Sequence, residues 1–227
     1  DPARLDATEQ EFRHRLVPLI EARRREPTDD LLGDLVAPDD DGRTLTDDEV
    51  MANAGFLVFA GHDTISGMLG TAMLALADHP EQRELVAADP GLWPNASEEL
   101  LRWDPPVVAV LRRATEDIDL GLHQIPAGAS ISVELAAANR DPRRWDDPWE
   151  LRLDRPDPRP LSFGFGTHHC LGHALARLEV QIALAAIVER LGAFTVDRNE
   201  VRWRRSALLR GPTRLPLVPG RPGPMAD

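Results

Sequence analysis

The chain has 227 residues, 42% apolar and 28% charged, which excludes collagen-like, coiled-coil and fully disordered chains and suits one large domain or two small ones. Its 26 basic residues, all arginine, stand against 38 acidic ones for a net charge of −12; this speaks against a generic nucleic-acid binder, which needs a basic face to neutralise phosphates. No apolar run reaches the roughly 20 residues of a membrane helix, no secretory pattern follows Asp1, and the single cysteine, Cys170, excludes an internal disulfide framework.

In chain order, Thr8 and Glu11 form a T-x-x-E capping box, and Phe12, Leu16, Leu19 and Ile20 recur at helical spacing, with Pro18 expected to kink that helix. Nine acidic residues and one arginine lie between Asp29 and Glu49, a solvated stretch holding a short helix near Leu31 to Val36 and a turn at Asp39 to Gly42. A second capping box, Thr46 to Glu49, opens the longest periodic segment, a helix over 46–77 that ends at Asp78-His79-Pro80 and spans roughly 45 Å. Its apolar residues occupy both faces, so it is expected to cross an interior. The middle reads Ala60-Gly61-His62-Asp63-Thr64, an odd centre for a buried helix because Gly and polar side chains both weaken it there.

A short helix follows from Pro80, and another over 94–103 starts at Pro94 and closes before Pro105-Pro106. Alternation at Leu120, Leu122, Ile131 and Val133 around the turn Ile125-Pro126-Ala127-Gly128 suggests short strands, and Asn139 to Pro160 is loop-like. The last helix runs from about Cys170 to Leu191 and stops at Gly192. Short alternating segments follow at Phe194, Val196, Val201 and Trp203, and the Pro/Gly tail over 218–227 is expected to be disordered. The fold class is mainly α with small peripheral β-sheets.

The most informative stretch is Phe163-Gly164-Phe165-Gly166-Thr167-His168-His169-Cys170-Leu171-Gly172. Its glycines permit a tight approach to something flat or bulky, and a thiolate at the start of a helix is stabilised by the free N–H groups of the first turn. Three readings stand beside one another: a buried structural cysteine, a zinc site from His168, His169, Cys170 and His173, and a haem thiolate.

The F-x-x-G-x-x-x-C-x-G pattern over 163–172 resembles the haem-binding signature of the cytochrome P450 monooxygenases. Glu99-Leu100-Leu101-Arg102 resembles that family's E-x-x-R motif, although an i, i+3 pair alone is more often a surface pair. Ala60-Gly61-His62-Asp63-Thr64 is similar to its A-G-x-[D/E]-T oxygen-binding motif, and the segments Arg112 to Asp117 and Ala138 to Pro142 match bacterial members in the same order. The resemblance spans nearly the whole chain, which is expected to be the C-terminal portion of one such domain over 1–227, with the N-terminal part absent.

By that resemblance, Cys170 is the metal ligand, the proximal thiolate on haem iron. Phe163, Gly164, Gly166 and Gly172 shape the haem loop, His168 and Arg112 hold haem propionates, and Ala60 and Gly61 line the haem from the long helix. Thr64 and Asp63 are the catalytic pair. Thr64 is a hydrogen-bond partner of the oxygen being activated and Asp63 a proton relay, in a helix expected to open locally at Gly61 and Thr64. Thr64 bonding back to its own preceding turn is compatible with the same sequence. Ile65 replaces the second hydroxyl residue common at that position, while His169 falls at a variable position. Phe56, Phe59, Ala60, Val107, Val108 and Leu208 are expected to line an apolar substrate site, and Glu99 and Arg102 a buried structural network.

The resemblance implies haem b as cofactor, O2 as co-substrate, and electrons from NAD(P)H through a reductase and a ferredoxin or flavodoxin-type donor, with Arg177 on the docking face. It implies a hydrophobic small-molecule substrate and a cytoplasmic monomer without nucleic acid or membrane partners. The alternative is a truncated, noncatalytic fragment of such an enzyme that cannot hold haem by itself.

Overall fold

The computed structural model describes residues 2–220. They divide into two compact units, with the division between His62 and Asp63. The first unit holds α1 (Pro2–Arg25), α2 (Leu31–Val36) and the first half of α3 (Asp47–Asp78). Helix α1 begins before Thr8, so the Thr8/Glu11 pair does not start it; Glu11 instead accepts from Arg15 at 2.7 Å, one turn on. The helix also continues through Pro18. Asp30 caps α2 by accepting from the Gly33 N–H at 2.8 Å.

The capping box at the start of α3 is formed as the spacing requires: the Thr46 N–H donates to Glu49 Oε2 at 2.8 Å, and the Glu49 N–H donates to Thr46 Oγ1 at 3.3 Å. Ile20, Val36, Val50 and Met51 make the buried centre of this unit.

The second unit contains the rest of α3, then α4 (Pro80–Ala88), α5 (Trp93–Trp103), α6 (Leu135–Ala138) and α7 (His173–Leu191). Its core joins Met68, Ala72 and Leu76 of α3 to Val86 of α4, Leu100 of α5, and Val180 and Leu184 of α7. Full burial of a side chain such as Leu184 contributes about 1.5–3 kcal/mol. Four small antiparallel sheets surround these helices. β1 (Ala109–Arg113) pairs with β4 (Ser130–Glu134), and β2 (Ile118–Asp119) with β3 (Gln124–Ile125). β5 (Phe194–Val196) pairs with β8 (Leu217–Pro219), and β6 (Arg202–Trp203) with β7 (Pro212–Arg214).

Three expectations are corrected. Leu120 and Leu122 lie in the β2–β3 turn, where the Leu120 N–H reaches the His123 carbonyl and Gly121 takes φ +84°. The tail does not lose order at residue 218, because Val218 and Pro219 complete β8; residues 221–227 lie outside the described residues. Helix α7 starts at His173 instead of Cys170, since a short 3-10 turn over Gly166–His168 precedes it and Gly172 occupies its N-cap position. Among the described residues, no helix is long and apolar enough to cross a membrane.

Candidate haem-thiolate site

The loop carrying Cys170 is closed by its own backbone. The Cys170 N–H donates to the Phe163 carbonyl at 2.9 Å and the Gly164 N–H to the Leu161 carbonyl at 2.8 Å. Gly164 and Gly166 sit at φ +73° and +74°, the left-handed region that glycine enters without steric cost. The loop leaves Cys170 exposed, with Phe165 and Leu171 each 87% exposed. The buried structural cysteine is therefore set aside. Cys170 precedes the first turn of α7, whose N-cap position is held by Gly172.

Cys170 lines a cavity of about 210 Å³. Of the expected site residues, Thr64, Val107, Arg112, Phe163, Gly164 and His168 share it. Ile65, Met68, Leu101, Pro106, Val110, Leu135, Ser162, Ala176 and Val180 complete the lining; apart from Ile65, the sequence had suggested a site role for none of them. Most of these walls are apolar, and Arg112, His168 and Cys170, with the hydroxyl residues Thr64 and Ser162, are the polar members of the lining. Strand β1 presents Arg112, whose guanidinium Nη1 also donates to the Leu111 carbonyl at 2.8 Å. The 3-10 turn presents His168.

Other expected residues lie elsewhere. Val108 and Leu208 are outside this lining, and the Val108 N–H instead donates to the Leu208 carbonyl at 2.9 Å. Gly166 and Gly172 also lie off it, and a Cβ built on either meets no atom within 4 Å. Phe56, Phe59, Ala60 and Gly61 belong to the first unit, where both phenylalanines are more than half exposed. The expected opening of α3 is not present: the chain is α-helical through Ala60 to Thr64. Asp63 turns to the C-terminal hairpin, where Arg204 Nη1 donates to its carboxylate at 2.9 Å.

Behind the loop, the Glu99/Arg102 pair is fully buried. Arg102 Nε and Nη2 donate to the two Glu99 oxygens at 2.7 and 2.8 Å. The remaining Arg102 protons go to the carbonyls of Asn139, Pro148 and Glu150. Arg155 is a second guanidinium on Glu99, at 3.0 Å, which the i, i+3 reading missed because 56 positions separate the two residues. Asn139 ties the network to the loop: its side chain donates to Ser162 and accepts from the Leu161 N–H.

Arg177, expected to face an electron donor, is engaged locally. Its Nε donates to Glu98 at 2.5 Å, and its guanidinium carbon lies 4.4 Å from the centre of the Phe163 ring. His169 and His173 stack edge to face at 4.6 Å. The zinc set is not assembled: among the described residues, no three His, Cys, Asp or Glu side chains are grouped to hold a metal ion.

The Cytochrome P450 family model matches residues 4–88 and 93–213. The chain is similar to 6-deoxyerythronolide B hydroxylase of Saccharopolyspora erythraea, 41% identical over 96% of this chain and 55% of that protein. It is also similar to vitamin D(3) 25-hydroxylase of Pseudonocardia autotrophica, 41% identical over 89% of this chain and 51% of that one. Among solved structures, the cytochrome P450 PksS of Bacillus subtilis 168 superposes with a TM-score of 0.88 at 37% identity, covering 93% of this chain and 55% of that one. The tirandamycin C-bound P450 monooxygenase TamI gives 0.86 at 39%, covering 97% and 56%. The chain spans about half the length of the relatives it matches.

Proposed function

The chain belongs to the cytochrome P450 family, and on that premise we propose that it is the haem-ligating portion of a monooxygenase that inserts one oxygen atom from O2 into a hydrophobic small molecule. The observation that carries this reading is Cys170, an exposed thiol on the rim of an apolar cavity shared with Arg112 and His168. That donor set fits an iron porphyrin: a thiolate for the metal, and a guanidinium and an imidazole for two carboxylates.

When bound, the haem supplies reductive activation of O2, and the thiolate's electron donation favours O–O cleavage. The residues of this chain do the rest. Arg112 and His168 orient the group through its carboxylates. Ile65, Met68, Val107 and Val110 exclude water and hold an apolar substrate. Thr64 lines the cavity, where its hydroxyl would serve the oxygen being activated, and Asp63, one residue earlier, holds a proton-transferring carboxylate under the control of Arg204. Electrons come from NAD(P)H through a reductase and a ferredoxin or flavodoxin-type donor. Because Glu98 already neutralises Arg177, that side chain is better read as a support for Phe163 than as a free docking charge.

A second reading, a portion that holds haem only with the rest of the fold, is favoured by the half-length match and by Phe165, Leu171, Leu175 and Ile182 standing exposed around the loop and α7. Haem titration of the 227-residue chain separates the two. The first predicts one haem per chain in the wild type and loss of tight uptake in Cys170→Ser; the second predicts no tight uptake in either.

A further inference from the structure

Three glycines of the second unit take no left-handed backbone angle, and each is small for reasons of closeness. Gly67 and Gly70 lie one turn apart on α3, and Gly211 opens the approach to β7. A Cβ on Gly67 would come 2.7 Å from the Arg210 carbonyl oxygen and 3.4 Å from Pro106 Cβ. A Cβ on Gly211 would come 2.5 Å from the Gly67 Cα, and one on Gly70 2.5 Å from the Pro212 ring. Residues 210–212 therefore rest directly on the backbone of α3, which keeps these glycines although alanine is the better helix former.

The same segment grips one wall of the Cys170 cavity. The Arg210 N–H donates to the Pro106 carbonyl at 2.8 Å and the Val108 N–H to the Leu208 carbonyl at 2.9 Å, while Val107 and Leu209 form a β-bridge. Pro106 and Val107 line the cavity; so do Thr64 and Met68, which flank Gly67 on α3. The thickness of the glycine contact thus sets how far the Pro106–Val107 wall stands from the α3 wall.

We propose that Gly67 and Gly211 are positioning residues that set the width of the Cys170 cavity and so limit the size of ligand it admits. The size limit rests on the haem reading above; the clamp between Gly67 and the Pro106–Val107 wall does not. Alanine at 67 must displace the Arg210 carbonyl, and the displacement passes through the Arg210–Pro106 hydrogen bond to the wall. Alanine at 70 meets the Pro212 ring, not the Arg210 carbonyl or Pro106, and serves as the comparison in which the same segment is pushed without direct contact with the Arg210–Pro106 link.

The test has two parts. In the haem-loaded chain, imidazole and the larger 4-phenylimidazole are titrated optically. Gly67→Ala is expected to shift the ratio of their dissociation constants about tenfold toward the larger probe, the size of effect one group of pocket volume carries, and Gly70→Ala to leave it unchanged. An unchanged ratio in Gly67→Ala, or the same shift in both variants, overturns the proposal. Without haem, hydrogen exchange in the wild type should be slower at the Val108 and Arg210 amides than at the Arg205 amide, and Gly67→Ala should speed both. If Gly67→Ala does not fold, the wild-type exchange still decides: Val108 and Arg210 exchanging as fast as Arg205 overturns the clamp. Failure of the wild type to take up haem counts against the proposed function and leaves the exchange result standing.

Discussion

The Cys170 N–H donates to the Phe163 carbonyl at 2.9 Å, so the first and last chemically decisive residues of the loop are joined through backbone alone. That closure depends on the glycines between them. Gly166 sits at φ +74°, where any side chain is strained, whereas Gly172 sits at φ −85° with open space around it. Gly166→Ala should cost about 1–2 kcal/mol and weaken haem uptake, while Gly172→Ala should fold as the wild type does. Urea melts and haem titrations of both variants check this; equal behaviour would contradict the loop account.

Glu99 is fully buried between Arg102 and Arg155. Glu99→Ala leaves two guanidiniums in the interior without their counter-charge, and Arg102→Ala removes a side chain that also satisfies three carbonyls. Each should cost about 3–5 kcal/mol, read from denaturant midpoints. A loss below about 1 kcal/mol would place the pair with exposed salt bridges.

Asp104 gives a pH dependence of defined sign. Burial pushes its carboxyl above the ordinary range, against the opposing pull of Arg210 at 2.7 Å and of Arg140. The folded state therefore binds the Asp104 proton more tightly than the unfolded chain does. Its contribution is fully present below the ordinary carboxylate pKa and is lost as pH rises through the elevated folded value. The stability difference between wild type and Asp104→Asn should move against the wild type across that window, measured by urea melts at a series of pH values. A difference that grows in favour of the wild type would reverse the assignment.

Asp63 and Thr64 are consecutive; Asp63 is held by Arg204, and Thr64 lines the cavity. In haem-loaded protein supplied with electrons, Asp63→Asn and Thr64→Ala should each lower product formation by about 10²-fold or more without changing haem affinity. Product formed per electron consumed is the readout, and wild-type coupling in both variants would remove the proton-handling role.

Local sequence signals carried much of this architecture. The Thr46/Glu49 box starts α3, Pro80 starts α4, and a helix ends at Trp103, because capping and proline chemistry act within a few residues. The Thr8/Glu11 pair misled for the same reason: the motif is short and also occurs inside helices, where Glu11 serves an i, i+4 pair. The cavity's apolar lining from α5 and α7 could not be read in advance, since Leu101, Ala176 and Val180 look like ordinary core residues until the fold brings them beside Cys170. Arg155 and Arg204 were hidden by distance along the chain from Glu99 and Asp63.

The central claim is that Cys170 is a haem thiolate ligand, and the most direct measurement is the absorption spectrum of the haem-supplemented chain after reduction and exposure to carbon monoxide. The account predicts a thiolate-type Soret band in the wild type and its loss in Cys170→Ser, a substitution at an exposed position that should change stability by no more than about 0.5 kcal/mol. No such band in the wild type, or the same band in Cys170→Ser, would contradict it.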